Sequence, residues 1–427
     1  MRLSAIYGAA ILLHWPLIAN ATSAPTETVL LSFRLPAYSA PAAGPLLGAG
    51  GVLYGTTSAL GQKAPGALGG VYSLSPPTGN QKNWIFSGLH VFLGTNQGDG
   101  ERPGTGVIED AAGNLYGTTG SGGSNDAGVV YELHAQGGGS WPETILYTFG
   151  FPLDQNSSQP NALLLTANGV LYGTTLSSFV GGCNCGTAFA LQPPTKRNPS
   201  WAYKSLYVFK GGTDADTPIA GLVKAPNGSL YGVSFYGGNG GCGSGGNPGR
   251  GCGTIFRLMP PAKGQTVWTE SVIYAFTGGA DGATPEGTMI VNKSGALYGT
   301  TTFGGTGYGV VFELAPPANG STTWTETTIH TFVGSDGFNP TDGLTFGPGG
   351  SLIGVTSGGD QGGVVFELTP PPQGQSGWSN TILHTFSGEP DGAGPVPRVV
   401  RSPSGSLFGA TKIGGTSNLG TVYEIKP

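Results

Sequence analysis

Charge is scarce in this chain: 18 Lys and Arg and 23 Asp and Glu among 427 residues, for a formal net charge of −5. A phosphate backbone needs a basic stripe to neutralise it, and none exists here, which excludes nucleic acid as a partner. Capped windows of about ten or more residues with apolar spacing of three and four are also missing, so helix is excluded as the main element. No stretch reaches about 18 apolar residues, the least that a membrane-spanning helix requires. Histidine numbers only 5 and cysteine 4. There is no His-x-x-x-His or Cys-rich metal spacing, and no Gly-x-Ser-x-Gly elbow at a strand-to-helix turn.

Glycine and proline are abundant, at 80 and 33 residues. Without a period such a composition reads as disorder. Here a period is plain, because one pentapeptide is written seven times. It runs Leu53-Tyr-Gly-Thr-Thr57, Leu115-Tyr-Gly-Thr-Thr119, Leu171-Tyr-Gly-Thr-Thr175, Leu230-Tyr-Gly-Val-Ser234, Leu297-Tyr-Gly-Thr-Thr301, Leu352-Ile-Gly-Val-Thr356 and Leu407-Phe-Gly-Ala-Thr411. Successive leucines lie 62, 56, 59, 67, 55 and 55 residues apart. A period of that size means an array of supersecondary units.

Each unit resolves into four short apolar runs. In the fifth they are Gly287–Asn292, Leu297–Thr301, Gly309–Leu314 and Trp324–Phe332, separated by Gly- and Pro-rich turns. Four antiparallel strands repeated radially make a β-propeller, and seven units make seven blades. The last run carries its own ruler, with Trp eight residues before Phe in Trp84/Phe92, Trp141/Phe149, Trp201/Phe209, Trp268/Phe276, Trp324/Phe332 and Trp378/Phe386. The seventh unit stops after its third run, at Ile425. Its fourth is found at the other end of the chain, as Glu27–Phe33, with Pro25 in the Trp position. The expected fold is therefore an all-β, seven-bladed propeller closed by its N-terminal strand. A linear β-solenoid has no reason to split one unit between the two termini.

Residues 1–21 read as a secretory signal: Arg2, an apolar run from Ile6 to Ile18, and the small-x-small site Ala19-Asn-Ala21. Residues 22–427 are then one exported propeller domain, periplasmic or extracellular, expected to be a monomer.

The order Gly-x-Leu-Tyr-Gly-Thr-Thr, a Gly-Gly loop, then Gly-x-Val-Phe-Glu-Leu resembles the GloVer repeat of secreted bacterial proteins, over all seven units. The resemblance implies export and a propeller-like array, and it brings no catalytic residues with it. Members of that group resemble one another in ending on surface-sorting tails, whereas here the chain closes on the strand-like Val422–Pro427.

Candidate chemistry lies in loops that a propeller gathers on one face. Except in the first blade, which has Pro36 to Pro41 in that region, the lead-in loop carries Asp 16 residues before the pentapeptide Leu, at Asp99, Asp214, Asp281, Asp336 and Asp391, with Asp154 offset by one. Spaced round the mouth of the central channel, such carboxylates would hold calcium or a hydroxyl-rich or cationic ligand. Alternatively each caps its own turn by accepting a backbone N–H two residues on. Two neighbouring acid pairs break the repeat, Asp214 with Asp216 and Glu109 with Asp110. Glycosidic hydrolysis needs two carboxyl groups in unlike environments, and unequal pKa values among these acids would favour it. His90, His330 and His384 share one position with Tyr147, Tyr207, Tyr274 and Leu31, which reads as an amphipathic slot between blades.

The four cysteines lie in loops joining second and third strands, Cys183 with Cys185 and Cys242 with Cys252. In an oxidising compartment they favour disulfides. Cys242–Cys252 would close a short loop, whereas Cys183–Cys185 would close a very tight one, which leaves cross-blade pairing open. Phe179, Phe235, Tyr236 and Tyr308 place rings in the same loops, where sugars or a protein surface could stack. Three functional readings follow. The first is a non-catalytic scaffold binding a glycan or protein, with no cofactor unless calcium. The second is a polysaccharide hydrolase or lyase at the channel mouth, and the third a structural surface or matrix protein.

Overall fold

The computed structural model describes residues 24–34, 38–58, 68–95, 98–136, 139–150, 157–178, 183–239, 241–242, 249–318, 321–341, 343–359 and 362–426. The segment read as a secretory signal lies outside them. The described residues form seven antiparallel sheets in a ring, without an α-helix, and no helix is long and apolar enough to cross a membrane.

Blade 5 shows the plan. An inner strand in two pieces, Ala283–Pro285 and Ile290–Val291, pairs with Leu297–Phe303; that strand pairs with Val310–Ala315, which pairs with the outer strand Thr325–Thr331. Blade 7 takes three strands from the end of the chain, and Thr26–Ser32 completes it by pairing antiparallel with Thr421–Lys426. The seven-bladed, terminally closed ring expected from the unit count is the observed fold.

The pentapeptide has a packing reason at every position. Its Leu is buried in all seven blades. Its Gly lies under the aromatic ring of the third strand: a Cβ on Gly299 would stand 2.6 Å from Phe312 Cζ. Its Tyr or Phe meets the Trp of the next outer strand, as in Tyr54 with Trp141, Tyr116 with Trp201, Tyr172 with Trp268, Tyr231 with Trp324 and Phe408 with Trp84. The Trp ruler is thus a contact between blades, edge-to-face at 5.7–6.3 Å.

A second joint recurs once per blade. Ala40, Arg102, Gln159, Thr217, Thr284, Asn339 and Gly394 adopt positive φ, and each is followed by proline. Each donates its N–H to a carbonyl of the preceding blade, for example Thr284 to Cys252 at 2.7 Å and Asn339 to Tyr308 at 3.1 Å. The ring is closed by a repeated backbone hydrogen bond as well as by apolar packing. For β-branched Thr217 and Thr284 this conformation is strained.

Candidate functional site

The loop Asp residues close turns that begin at the end of an outer strand. Asp281 accepts hydrogen bonds from the Thr277 N–H at 2.8 Å and from the Tyr274 hydroxyl at 3.0 Å. Asp214 takes the Lys210 N–H and the Tyr207 hydroxyl, both at 3.0 Å. Where the outer strand offers histidine, Nε2 faces the carboxylate: His330 to Asp336 at 2.9 Å, His384 to Asp391 at 3.1 Å and His90 to Asp99 at 3.5 Å. The capped N–H lies earlier in the chain, not two residues on, because the loop folds back over the strand it has just left. Each carboxylate occupies its own cleft between successive outer strands. None lines the central channel, so these five do not assemble into a ring around its mouth. Asp154 lies outside the described residues.

Across each cleft the next blade supplies a second polar group, two residues after its Trp position. Glu143 faces His90 at 3.6 Å, and Asn380 faces Asp336 at 3.4 Å. Glu270, Glu326 and Glu27 lie beside Asp214, Asp281 and Asp391 in turn. Burial, reinforced by these Asp charges, pushes Glu270 up to about 8 and Glu27 to about 7. Glu143 is pushed up to about 7 by burial, against the opposing pull of His90. Burial also raises Glu326. Burial alone would raise Asp99 too, but His90 and the N–H groups of Leu93 and Gly100 outweigh it and hold that carboxyl below its ordinary range.

Unequal acid pairs are the pattern of proton-transfer sites. Such pairs recur in several clefts, each lying between the outer strands of two successive blades. The sequence reading missed these glutamates; an acid two residues after the Trp position was the signal available.

The central channel is a cavity of about 320 Å³ lined from all seven blades, mostly by Gly, Ala, Thr, Leu and Ile. Its charged lining residues among those described are Glu286 and Arg398. Burial raises the pKa of Glu286. Neither residue was singled out in the sequence, since each occurs once and leaves no periodic trace.

The decorated face carries a second hollow, of about 370 Å³, between blades 3 and 4. Disulfides Cys183–Cys185 and Cys242–Cys252 stiffen its loops, with Cα separations of 5.2 and 5.1 Å, so both pairs form within their own loops. No free cysteine remains. Asp216, nearly inaccessible at 3% exposure, accepts two hydrogen bonds from Arg250, Nε–H at 2.9 Å and an Nη2–H at 2.5 Å. That fork holds the guanidinium 4.3 Å above the Tyr236 ring, and Phe235 meets the same ring edge-on at 4.7 Å. Lys210 and Asn184 complete the polar lining.

Of the remaining aromatic candidates, Tyr308 is 42% exposed and leans on Phe338 at 6.0 Å. Phe179 lies outside the described residues. Asp110 is taken up by its own hairpin, accepting the N–H groups of Ala112 and Asn114 and the Tyr116 hydroxyl. Burial, with Asp110 beside it, raises Glu109.

Solved structures similar to this chain are distant in sequence. PorZ, a surface component of the type-IX secretion system of Porphyromonas gingivalis, is 12% identical with a TM-score of 0.51. The match covers 88% of this chain and 46% of PorZ, so the chain spans about half of that protein's length. A gluconolactonase from Xanthomonas campestris is 14% identical with a TM-score of 0.40, over 74% of this chain and 82% of that one. A putative glucose dehydrogenase from Thermus thermophilus is also 14% identical, with a TM-score of 0.43, over 75% and 95% of the two chains. At 12% identity the likeness to PorZ is one of fold alone. No curated protein sequence matches the chain. The Gloeobacter/Verrucomicrobia repeat matches residues 18–245 and 243–427. With its seven Leu-Tyr-Gly-Thr-Thr-like strands accounted for blade by blade, the chain belongs to the Gloeobacter/Verrucomicrobia repeat family.

Proposed function

We propose that this protein is a secreted, non-catalytic binding propeller that holds a glycan or a protein segment on the face carrying its Gly-rich loops. The observation that carries this reading is the hollow between blades 3 and 4. Its guanidinium is fixed in place by a buried carboxylate and an aromatic ring, and its loops are tied by two disulfides. Preorganised polar groups beside half-buried rings are what a recognition surface needs, because little side-chain freedom remains to be lost on binding. Disulfides in surface loops suit an oxidising, extracytoplasmic setting. The loop aspartates are already engaged in turn closure, and the described channel lining offers a single carboxylate, Glu286, where glycosidic hydrolysis uses two.

The test is a thermal-shift screen of the tag-free protein against plant, fungal and bacterial polysaccharides, repeated with Tyr236→Ala and Arg250→Ala. Saturating ligand at about 100 times its Kd adds roughly 2.7 kcal/mol. A shift present in the native protein and lost in both variants supports the reading. Release of product sugars that stops in Glu286→Gln would replace it with catalysis in the channel.

A further inference from the structure

We propose that two of the clefts between blades are divalent transition-metal sites, zinc being the ion they suit, held by His90, Asp99 and Glu143 in one and by His384, Asp391 and Glu27 in the other. In each, one imidazole nitrogen and two carboxylate oxygens lie within 4.8 Å of one another. In the first, His90 Nε2 stands 3.5 Å from Asp99 Oδ2 and 3.6 Å from Glu143 Oε2. Those separations exceed a good N–H···O bond. They approach the edge of a tetrahedron whose centre lies about 2.0–2.1 Å from each ligand, the zinc distance to His and carboxylate. All three side chains are largely withdrawn from water, at 19%, 10% and 15% exposure. The Glu143 and Glu27 Oε1 atoms are fully buried without a hydrogen-bond donor, a feature shared by Glu270 in the cleft of Asp214, so the imidazole is what sets the two sites apart from that cleft.

The protein contains its own controls. In the clefts of Asp214 and Asp281 a tyrosine hydroxyl replaces the imidazole and donates to the carboxylate at 3.0 Å. In the cleft of Asp336 the histidine is kept, but Asn380 replaces the glutamate, and its amide faces both His330 and Asp336. Each replacement changes one of the three groups that the two His–Asp–Glu clefts share; in the second of these clefts His384 Nε2 lies 3.1 Å from Asp391 Oδ2. The mixed N/O donor set suits zinc better than calcium, which takes 6–8 oxygens. Bound there, the ion would fasten the outer strand of blade 1 to that of blade 2. The second ion would tie blade 6 to Thr26–Ser32, the strand that closes the ring.

The experiment is zinc stoichiometry on tag-free protein stripped with a chelator, measured by calorimetric titration with zinc chloride and by elemental analysis after desalting. Two ions per chain are expected, falling to one in Glu143→Gln and to one in Glu27→Gln. Glutamine introduces the amide that Asn380 already provides, so circular dichroism should show the variants folded. The reverse change, Asn380→Glu, should raise the count to three. Absence of zinc binding by the native protein, or a count that none of these variants alters, overturns the proposal.

Discussion

Glu270 offers the sharpest test of how the blades are joined. Its carboxyl is raised from an ordinary 4.5 to about 8, first by burial and then by Asp214. A raised acid binds its proton more tightly in the folded chain. Its contribution to stability is therefore complete below about pH 4.5, declines as pH climbs, and is gone above about pH 8. At about 1.36 kcal/mol per pH unit the linkage comes to roughly 5 kcal/mol. The side chain lies only part-buried at the rim, so solvent screening reduces this to about 2 kcal/mol. Glu270→Gln removes the titration and leaves an amide that can donate to Asp214 throughout. Unfolding entropy near 2.1 cal/mol/K per residue over roughly 400 residues makes 2 kcal/mol worth about 2 °C. Thermal unfolding followed by circular dichroism should then show matched melting points at pH 5. By pH 8.5 the native protein should have dropped about 2 °C further than the variant. Other titrating groups are common to both proteins and cancel in the difference. Parallel pH profiles would refute the reasoning.

Further expectations concern packing, backbone and covalent ties. Gly299→Ala should cost about 1–3 kcal/mol, because its Cβ would enter the Phe312 ring space; a melting point unchanged within error would contradict the packing account. Arg102→Gly should raise stability by about 1 kcal/mol by relieving a positive φ of 55° at an exposed side chain while keeping the N–H bond to Leu68, and a lowered melting point would contradict it. Replacing Cys242 and Cys252 together by Ser should lose about 2–3 kcal/mol. Unreduced native protein should show no reaction with a thiol reagent, and any measurable free thiol would contradict the two observed bridges.

The architecture was legible in the sequence because one structural demand was written seven times. The pentapeptide Leu had to be buried, its Gly had to pass beneath a ring, and its Tyr had to meet a Trp, so spacing alone exposed the blade. The broken seventh unit exposed the closure in the same way. The clefts were half legible. The Asp and the His or Tyr repeat visibly, but their partners Glu27, Glu143, Glu270 and Glu326 belong to the next blade. A contact between units leaves no mark in the spacing within one. The expected ring of carboxylates failed for a geometric reason: the lead-in loop reverses over the outer strand before it travels inward, which leaves Asp at the rim. The tie between Asp216 and Arg250 depends on an insertion found in one blade only, and a single occurrence gives periodicity nothing to detect.

The pairing that completes blade 7 also fixes how the molecule would respond to force. Thr26 lies opposite Lys426, and Ser32 lies opposite Thr421. Both ends of the ring therefore emerge at the same corner. A load drawn between them peels the two strands apart one rung at a time, instead of shearing the whole ladder at once. Tension along the chain would open the ring first at that seam, while the other six blades each keep a sheet that is continuous in sequence.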